Sequence, residues 1–187
     1  MDDPNPGSSA AAADDAQTVR YLTTDFSIRP AQAADADFLT EMLMVAADWR
    51  PGAVRRSRAE IMAVPSLAHY VDGWPRERDF GVLAEAPVPL GAAWWRFFPA
   101  DDPGYGFVDD TTPEITIGVM EGARGRGIAR TMLDALVSEA RRRELKGLSL
   151  SVEPDNYAMK IYEAAGFRTF GGAVGAITMV MLIGGPA

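Results

Sequence analysis

Apolar residues recur at two different spacings along the chain, and the change of spacing predicts where strands give way to helices. FSIRP predicts a first strand. From Phe38 to Ala46 the spacing becomes helical, with Asp35 as the N-cap, and Ile128 to Ala140 form a second helical stripe. Between them, DFGVLAEA, LGAAWWRFF and EITIGVM are separated by turn-forming residues, as in an antiparallel meander. GLSLSVE predicts another strand, DNYAMKIYEAAGF a short helix ended by Gly166, and FRTFGG with AITMVMLI a closing hairpin.

The segment from Trp49 to Trp74 breaks this regularity. Ser57 and Glu60 have the spacing of a capping box and predict a helix start. Pro65 interrupts that helix, and Ser66 begins a second short helix that runs through Tyr70. We therefore expect broken helices with bends, which either line a pocket or pack in the ordinary way.

Composition narrows the class of protein. The chain has 187 residues, the length of one domain, and no cysteine, which excludes disulfides and thiolate metal sites. Its single histidine disfavours a histidine-built metal site, so we expect no metal. The net charge of −8 argues against nucleic-acid binding, and we interpret Arg141 to Arg143 as cations that suit a helix C-terminus.

Chain position and hydropathy predict where the domain begins and where the protein resides. Residues 1–24 are acidic and rich in Pro, Gly, Ser and Ala, which predicts a disordered tail before a domain at 25–187. This start lacks the pattern of a signal peptide, and no apolar run is long enough to cross a bilayer. We expect a soluble cytoplasmic protein without a membrane partner.

The junction VMEGARGRGIARTML places glycines and arginines between a strand and a helix. Backbone N–H groups at a helix N-terminus lack helical partners, and glycine lets an anion approach them closely. This chemistry favours a phosphate site, with Arg124 and Arg126 adding charge. A Walker loop is absent, and a dinucleotide fingerprint fails because Arg130 stands where its last glycine belongs. The alternative is a glycine-rich turn whose arginines face water.

The same run resembles the acetyl-CoA motif of the GNAT superfamily of N-acetyltransferases. The resemblance rests on Val119, Arg124, Gly125, Gly127 and Ala129. A second family motif is similar to NYAMKIYEAAGF, through Asn156, Ala158, Tyr162, Gly166 and Phe167. With SIRPAQAADADFLTEML as first strand and helix, the resemblance spans residues 25–183. It implies an α/β (α+β) GNAT fold, in which about four helices flank a mixed, largely antiparallel twisted sheet of six to seven strands.

The resemblance also implies acetyl-CoA as co-substrate. Its pantetheine arm would bind backbone groups at the splayed end of the family's fourth strand, here Ile117, Gly118 and Val119. Its pyrophosphate would bind the backbone of Arg124, Gly125, Arg126, Gly127, Ile128 and Ala129, and the Thr131 hydroxyl would add a contact. Asn156 would bind the pantetheine arm, cap its helix, or do both.

Two residues have catalytic roles by the same resemblance. Glu114, at the head of EITIGV, would be the general base that takes a proton from the amine; the alternative is an exposed carboxylate at a strand start. Tyr162 would donate a proton to the leaving thiolate; the alternative is helix packing. Glu85, Asp109, Asp110 and His69 are weaker candidates for the base.

The acceptor is expected to be a primary amine of a small molecule, peptide or protein. Its pocket should come from residues 49–74, the WWRFF strand and the loop after Pro99. Because neighbours on a strand alternate, we expect one residue of each adjacent aromatic pair, Trp94–Trp95 and Phe97–Phe98, to face the pocket or a partner subunit, as in a homodimer. Asp101, Asp102, Asp109 and Asp110 either attract a cationic amine or form a solvated loop. The alternatives to an enzyme are a non-catalytic acyl-CoA sensor and an interaction module.

Overall fold

The computed structural model of this chain describes residues 21–22, 25–52, 54–173 and 175–184. Most of the predicted tail lies outside these residues. Within it, Tyr21 and Leu22 form a two-residue strand that pairs with Ile28 and Ser27. The structure therefore adds one short strand ahead of the predicted start of the domain.

The described residues form one sheet of eight strands, of which seven have four residues or more. The strands are β1 (Tyr21–Leu22), β2 (Ser27–Pro30), β3 (Phe80–Glu85), β4 (Pro89–Arg96), β5 (Glu114–Val119), β6 (Gly147–Val152), β7 (Arg168–Ala173) and β8 (Ala176–Leu182). Their order is β1-β2-β3-β4-β5-β6-β8-β7, and every neighbouring pair is antiparallel except β5 and β6. The predicted meander and closing hairpin are confirmed.

Five α-helices flank this sheet within the described residues. They are α1 (Ala36–Ala47), α2 (Arg58–Met62), α3 (Pro65–Ala68), α4 (Ile128–Arg142) and α5 (Met159–Ala165). The capping box of α2 is present, since Ser57 Oγ accepts from the Glu60 N–H and the Ser57 N–H donates to Glu60. Pro65 is the first residue of α3 rather than only an interruption before it, because proline fits the first turn of a helix.

Asp35 precedes α1 as predicted, but its carboxylate does not cap that helix. It instead accepts two hydrogen bonds from the Arg29 guanidinium, at 2.8 and 2.9 Å, and one from the Gln32 N–H. This ion pair ties the start of α1 to β2.

Both faces of the sheet are covered, which overturns one expectation about the aromatic strand. Trp94 packs on the face covered by α1 to α3, and Trp95 packs on the face covered by α4; neither indole is exposed. Each indole N–H has a partner, the Tyr70 carbonyl for Trp94 and the Arg78 carbonyl for Trp95. The prediction that one of the pair faces a pocket or a partner subunit is wrong, because alternation here directs them into two separate cores.

A buried ion pair fixes the chain between α3 and β3. Arg96, at the end of β4, is fully buried, and its Nε donates to Asp79 at 3.1 Å. Its Nη1 donates to the carbonyls of His69 and Asp72, at 2.7 and 2.8 Å. One guanidinium therefore connects the end of β4 to three points of the segment that follows α3.

Asp79→Asn should destabilise the fold strongly, because it leaves the buried Arg96 charge without a carboxylate. The expected loss is about 3 kcal/mol in the free energy of unfolding, measured by urea denaturation. Asp134→Asn is the matched control, since it breaks the exposed pair with Arg130 and should cost no more than about 0.5 kcal/mol. Equal losses in the two variants would contradict this account of Arg96.

Candidate active site

The two parallel strands of the sheet separate almost as soon as they meet. β5 and β6 share a single register position, Glu114 opposite Ser149, while β5 stays paired with β4 as far as Val119. Beyond Glu114, no strand of the described residues pairs with the other edge of β5, its free edge. A cavity of about 640 Å³ lies along this free edge, between the end of α1, the end of β6 and α5.

The alternation of hydrogen-bonded and non-bonded pairs between β4 and β5 sets which backbone groups of β5 face the cavity. The Met120 N–H donates to the Leu90 carbonyl at 2.9 Å, so this pair is bonded across the two strands. Because bonded and non-bonded pairs alternate in an antiparallel ladder, Val119 and Ile117 point their N–H groups toward the free edge. The Gly118 N–H points toward β4. A Cβ at this position would lie 2.4 Å from the Met42 carbonyl oxygen of α1, so glycine allows α1 to pack closely against β5.

Eight of the predicted catalytic and cofactor-binding residues line this cavity: Glu114, Ile117, Gly118, Val119, Arg124, Ala129, Asn156 and Tyr162. The cavity lining does not include Gly125, Arg126, Gly127, Ile128 or Thr131. The Ile128 side chain is buried in the core, and the Thr131 hydroxyl bonds the Gly127 carbonyl at 3.2 Å. Arg126 donates to the Asp25 carbonyl. The Ile128 and Thr131 side chains are therefore not available to an anion, whereas the exposed Arg126 guanidinium has further N–H groups besides the one bonded to Asp25.

The glycines of the turn before α4 are required by backbone geometry. Gly125 and Gly127 have φ of 77° and 79°, in the left-handed region that glycine adopts without strain. Gly127 is the N-cap of the 15-residue α4, whose first N–H groups have no helical partners. Arg124 stands between this turn and the cavity, and its Nε donates to the Val119 carbonyl at 3.3 Å. The turn thus has the geometry of an anion site next to the free edge of β5.

Glu114 is a buried carboxyl group with two unlike oxygens. Its Oε1 accepts a hydrogen bond from the Tyr70 hydroxyl at 2.7 Å. Its Oε2 is buried and has no hydrogen-bond partner in the part of the chain that the structure describes. Burial raises the pKa of Glu114 to about 7, and the hydrogen bond from Tyr70 and the nearby Gly106 N–H offset this in part. The alternative of an exposed strand-start carboxylate is wrong, because only 4% of Glu114 is exposed.

Tyr162 and Asn156 lie on the α5 side of the cavity. Burial raises the pKa of Tyr162 to about 12, so the phenol keeps its proton at neutral pH. Its ring meets Phe167 edge-on at 6.0 Å, so packing and access to the cavity coexist. Asn156 Oδ1 accepts from the Ala158 N–H at 2.9 Å, a local turn before α5. The N-cap of α5 is Ala158, so Asn156 does not cap the helix as the sequence had suggested.

The weaker candidates for the base lie elsewhere. Glu85 pairs with Arg29, Asp109 bonds Thr111, and the lining of the cavity includes neither Asp110 nor His69. The loop acids predicted to attract an amine, Asp101, Asp102, Asp109 and Asp110, are exposed and do not line the cavity. They form the solvated loop that was the other interpretation.

Sequence reasoning missed several residues of the site. Tyr70 and Tyr105 line the cavity, and the Tyr105 N–H donates to the Tyr70 hydroxyl at 2.7 Å. On the opposite side, Arg50 pairs with Glu153 and Asp155, which joins the segment after α1 to the end of β6. These contacts link residues far apart in the chain, and no periodicity predicts them. Only the broken helices between Trp49 and Trp74 pointed to this region.

Comparison with known proteins identifies the fold and its family. The profile described as the acetyltransferase (GNAT) family matches residues 47–167, more than half of the chain. This chain belongs to the GNAT acetyltransferase family. A search of curated proteins found no match.

Solved GNAT-type structures share the fold at low sequence identity. A ribosomal-protein-alanine N-acetyltransferase from Brucella melitensis is 23% identical, with a TM-score of 0.60 over 83% of this chain and 99% of that one. YncA, a putative acetyltransferase from Salmonella typhimurium solved with acetyl-CoA, is 21% identical, with a TM-score of 0.63 over 88% and 97%. The PaiA N-acetyltransferase from Thermoplasma acidophilum, in complex with coenzyme A, is 12% identical, with a TM-score of 0.59 over 85% and 99%.

Two kinds of feature are absent from the described residues. No cluster of three or more His, Cys, Asp or Glu side chains among them could hold a metal ion. No helix in the described ranges is long and apolar enough to cross a membrane.

Gly104→Ala should disturb Glu114 directly. A Cβ at Gly104 would lie 2.2 Å from Glu114 Oε2 and 2.9 Å from the Tyr70 hydroxyl oxygen, so the loop or the carboxyl must move. We expect a loss of about 1–3 kcal/mol in unfolding free energy, measured by urea denaturation. Gly171→Ala, where nothing lies within 4 Å of the added carbon, should change stability by less than about 0.5 kcal/mol. An unchanged stability in Gly104→Ala would contradict the described packing.

Proposed function

We propose that this protein is an acetyl-CoA-dependent N-acetyltransferase that acetylates a primary amine of a small molecule, peptide or protein by direct attack in a ternary complex. The observation that carries this proposal is the buried Glu114 carboxyl, which lines the same cavity as the open edge of β5. Two relatives solved with acetyl-CoA or coenzyme A support the choice of co-substrate.

Acetyl-CoA would supply an acetyl thioester, and the chain offers groups for each part of it. The free N–H groups of Ile117 and Val119 suit the amide-rich pantetheine arm, to which Asn156 would add its amide. The N–H groups of the Gly125–Ala129 turn suit the pyrophosphate, because a helix N-terminus carries positive character. Arg124 adds a full charge beside that turn.

Glu114 is the proposed general base. An alkylamine with a pKa near 10.4 is mostly protonated at neutral pH, and only its neutral form attacks a thioester. A carboxylate with a pKa of about 7 is ionised in part at neutral pH and is a better proton acceptor than an ordinary glutamate. Oε2, which has no partner within the described chain, is the oxygen available to take the proton.

Two further groups would complete the transfer. The Val119 N–H points toward the free edge of β5 and would stabilise the oxyanion that forms when the amine attacks. The Tyr162 hydroxyl, protonated at neutral pH, would donate its proton to the leaving thiolate. Base and acid would then act from opposite sides of the cavity, Glu114 from β5 and Tyr162 from α5.

The charges around the cavity favour an acceptor with one amino group over a polycation. In the described chain, the charged side chains of the lining are Arg50, Arg56 and Arg124 against Glu114 and Glu153. Glu153 is already bound to Arg50, so Glu114 is the acid left for an amine. Arg50 and Arg56 are paired with carboxylates as well, so a second positive charge on the acceptor would find no unpaired acid in the described lining.

Acetyl-CoA should bind to the wild-type protein with micromolar affinity, measured by calorimetric titration. Changing Arg124 to Ala and Gly127 to Glu together should weaken binding by at least about tenfold, because the double variant removes a cation and places a carboxylate at the N-terminus of α4. Gly122→Ala is the control, since its added carbon meets nothing within 4 Å and its affinity should be unchanged. Absence of binding to the wild-type protein would overturn the proposed co-substrate.

Glu114→Gln should lower turnover by about a hundredfold or more while acetyl-CoA still binds, because the amide cannot accept the proton. In the parent, kcat/KM should rise with pH through about 7, since Glu114 is active when deprotonated. Release of coenzyme A is measured with a thiol reagent over a panel of primary amines, and the cysteine-free protein gives no background. Binding of acetyl-CoA without turnover of any amine would instead identify a non-catalytic acyl-CoA sensor.

A further inference from the structure

The hydroxyl of Tyr70 is held in one orientation by two partners. Its oxygen accepts a hydrogen bond from the Tyr105 N–H at 2.7 Å, and a backbone N–H can only donate. The single proton of the hydroxyl is therefore directed to Glu114 Oε1, also at 2.7 Å. The donor and acceptor roles in this chain of two bonds are fixed by chemistry.

The ring of Tyr70 is held as firmly as its hydroxyl. Tyr70 is buried, and its ring meets His69 and Phe98 edge-on, each at 4.9 Å, and stacks with Tyr105 at 6.3 Å. The Tyr70 carbonyl accepts the indole N–H of Trp94 at 2.9 Å. Rotation of the phenol away from Glu114 would break several of these contacts together.

None of the other charged or titratable side chains described nearby bonds Glu114. Arg96 lies opposite Glu114 in the β4–β5 register, but its guanidinium binds Asp79. On the segment that carries Tyr70, His69 Nδ1 contacts Asp102 at 3.0 Å. Across β6, the register partner of Glu114 is the uncharged Ser149. Of the described side chains, Tyr70 is the one that bonds Glu114, and it holds Oε1; the Gly106 N–H is the backbone group close to the same carboxyl.

We propose that Tyr70, oriented by the Tyr105 N–H, is a positioning residue that holds Glu114 Oε1 and leaves Oε2 as the oxygen that receives the proton of the acceptor amine. The assignment of the proton to Oε2 rests on the proposed function. The Tyr70–Glu114 couple itself is independent of it. The pKa of Tyr70 is raised by burial and by the Glu114 charge, so the phenol stays protonated and continues to donate.

A carboxyl titration of Glu114 tests the couple without any substrate. The side-chain carboxyl carbons of glutamate are followed by ¹³C NMR against pH, and Glu114→Gln identifies the Glu114 signal by its loss. The parent should titrate near 7. Tyr70→Phe removes a hydrogen bond that favours the charged carboxylate, so the pKa should rise by about one pH unit. An unchanged pKa in folded Tyr70→Phe would overturn the proposal.

Ser66→Ala is the matched control. It removes the 2.9 Å hydrogen bond between Ser66 and the Tyr105 hydroxyl, in the same neighbourhood, but leaves the bonds to Glu114 in place. The pKa of Glu114 should stay at its parent value. An equal shift in Ser66→Ala would contradict a specific role for Tyr70, because general loosening of the loop would then explain both.

A second measurement covers the case in which Tyr70→Phe does not fold. Replacing all tyrosines by 3-fluorotyrosine keeps every hydroxyl and makes each one a stronger hydrogen-bond donor. The pKa of Glu114 should then fall below the parent value, and an unchanged value would again overturn the proposal.

Turnover separates this inference from the proposed function. If Glu114 is the base and Tyr70 positions it, the rising limb of kcat/KM moves to higher pH in Tyr70→Phe, in step with the NMR titration. A merely structural role would lower the rate equally at all pH values. If the NMR pKa of Glu114 shifts in Tyr70→Phe but the rising limb of kcat/KM does not shift with it, Glu114 is not the base. The Tyr70–Glu114 couple would still stand.

Discussion

β5 and β6 run parallel but meet at one register position, where Glu114 lies opposite Ser149, and they diverge beyond it. The divergence removes the partner strand from the N–H groups of Ile117 and Val119 and opens the cavity along them. It also sets the place of Glu114, which lies at the point where the two strands separate. A side chain at this point is enclosed by both strands yet lines the cavity between them. The burial of the carboxyl and its contact with the cavity therefore have the same geometric origin.

A buried carboxyl group needs hydrogen bonds, or it loses its charge. Arg96 is opposite Glu114 on β4 and could have supplied a salt bridge, which would hold the pKa of a carboxyl below its ordinary value. Asp79 and two carbonyl groups occupy its guanidinium instead. Within the described residues, Glu114 has neutral donors instead, the Tyr70 hydroxyl on Oε1 and the nearby Gly106 N–H, and burial raises its pKa to about 7. Because Arg96 binds Asp79 and not Glu114, the Glu114 carboxyl can accept a proton near neutral pH.

The sequence predicted the fold well, because local rules decide most of it. Alternation and helical spacing identified the strands and helices, the Ser57–Glu60 pair marked the start of α2, and Gly166 ended α5 with a positive φ. The glycines before α4 were interpreted as allowing close approach of an anion, and the structure adds that Gly125 and Gly127 adopt the left-handed conformation. Local patterns failed for Trp94 and Trp95, because the periodicity of a strand gives its two faces but not what covers each one.

The site was predictable only where its residues belong to a local motif. Glu114 and Tyr162 lie in recognisable segments, whereas Tyr70 reaches Glu114 across 44 positions of the chain. Its hydroxyl is oriented by the backbone of Tyr105, a contact that depends on the close approach of Gly104 to Glu114 and not on the identity of a side chain at 105. A backbone donor leaves no signature in a single sequence. The groups that tune the proposed base are therefore visible only once the fold has brought three separate segments together.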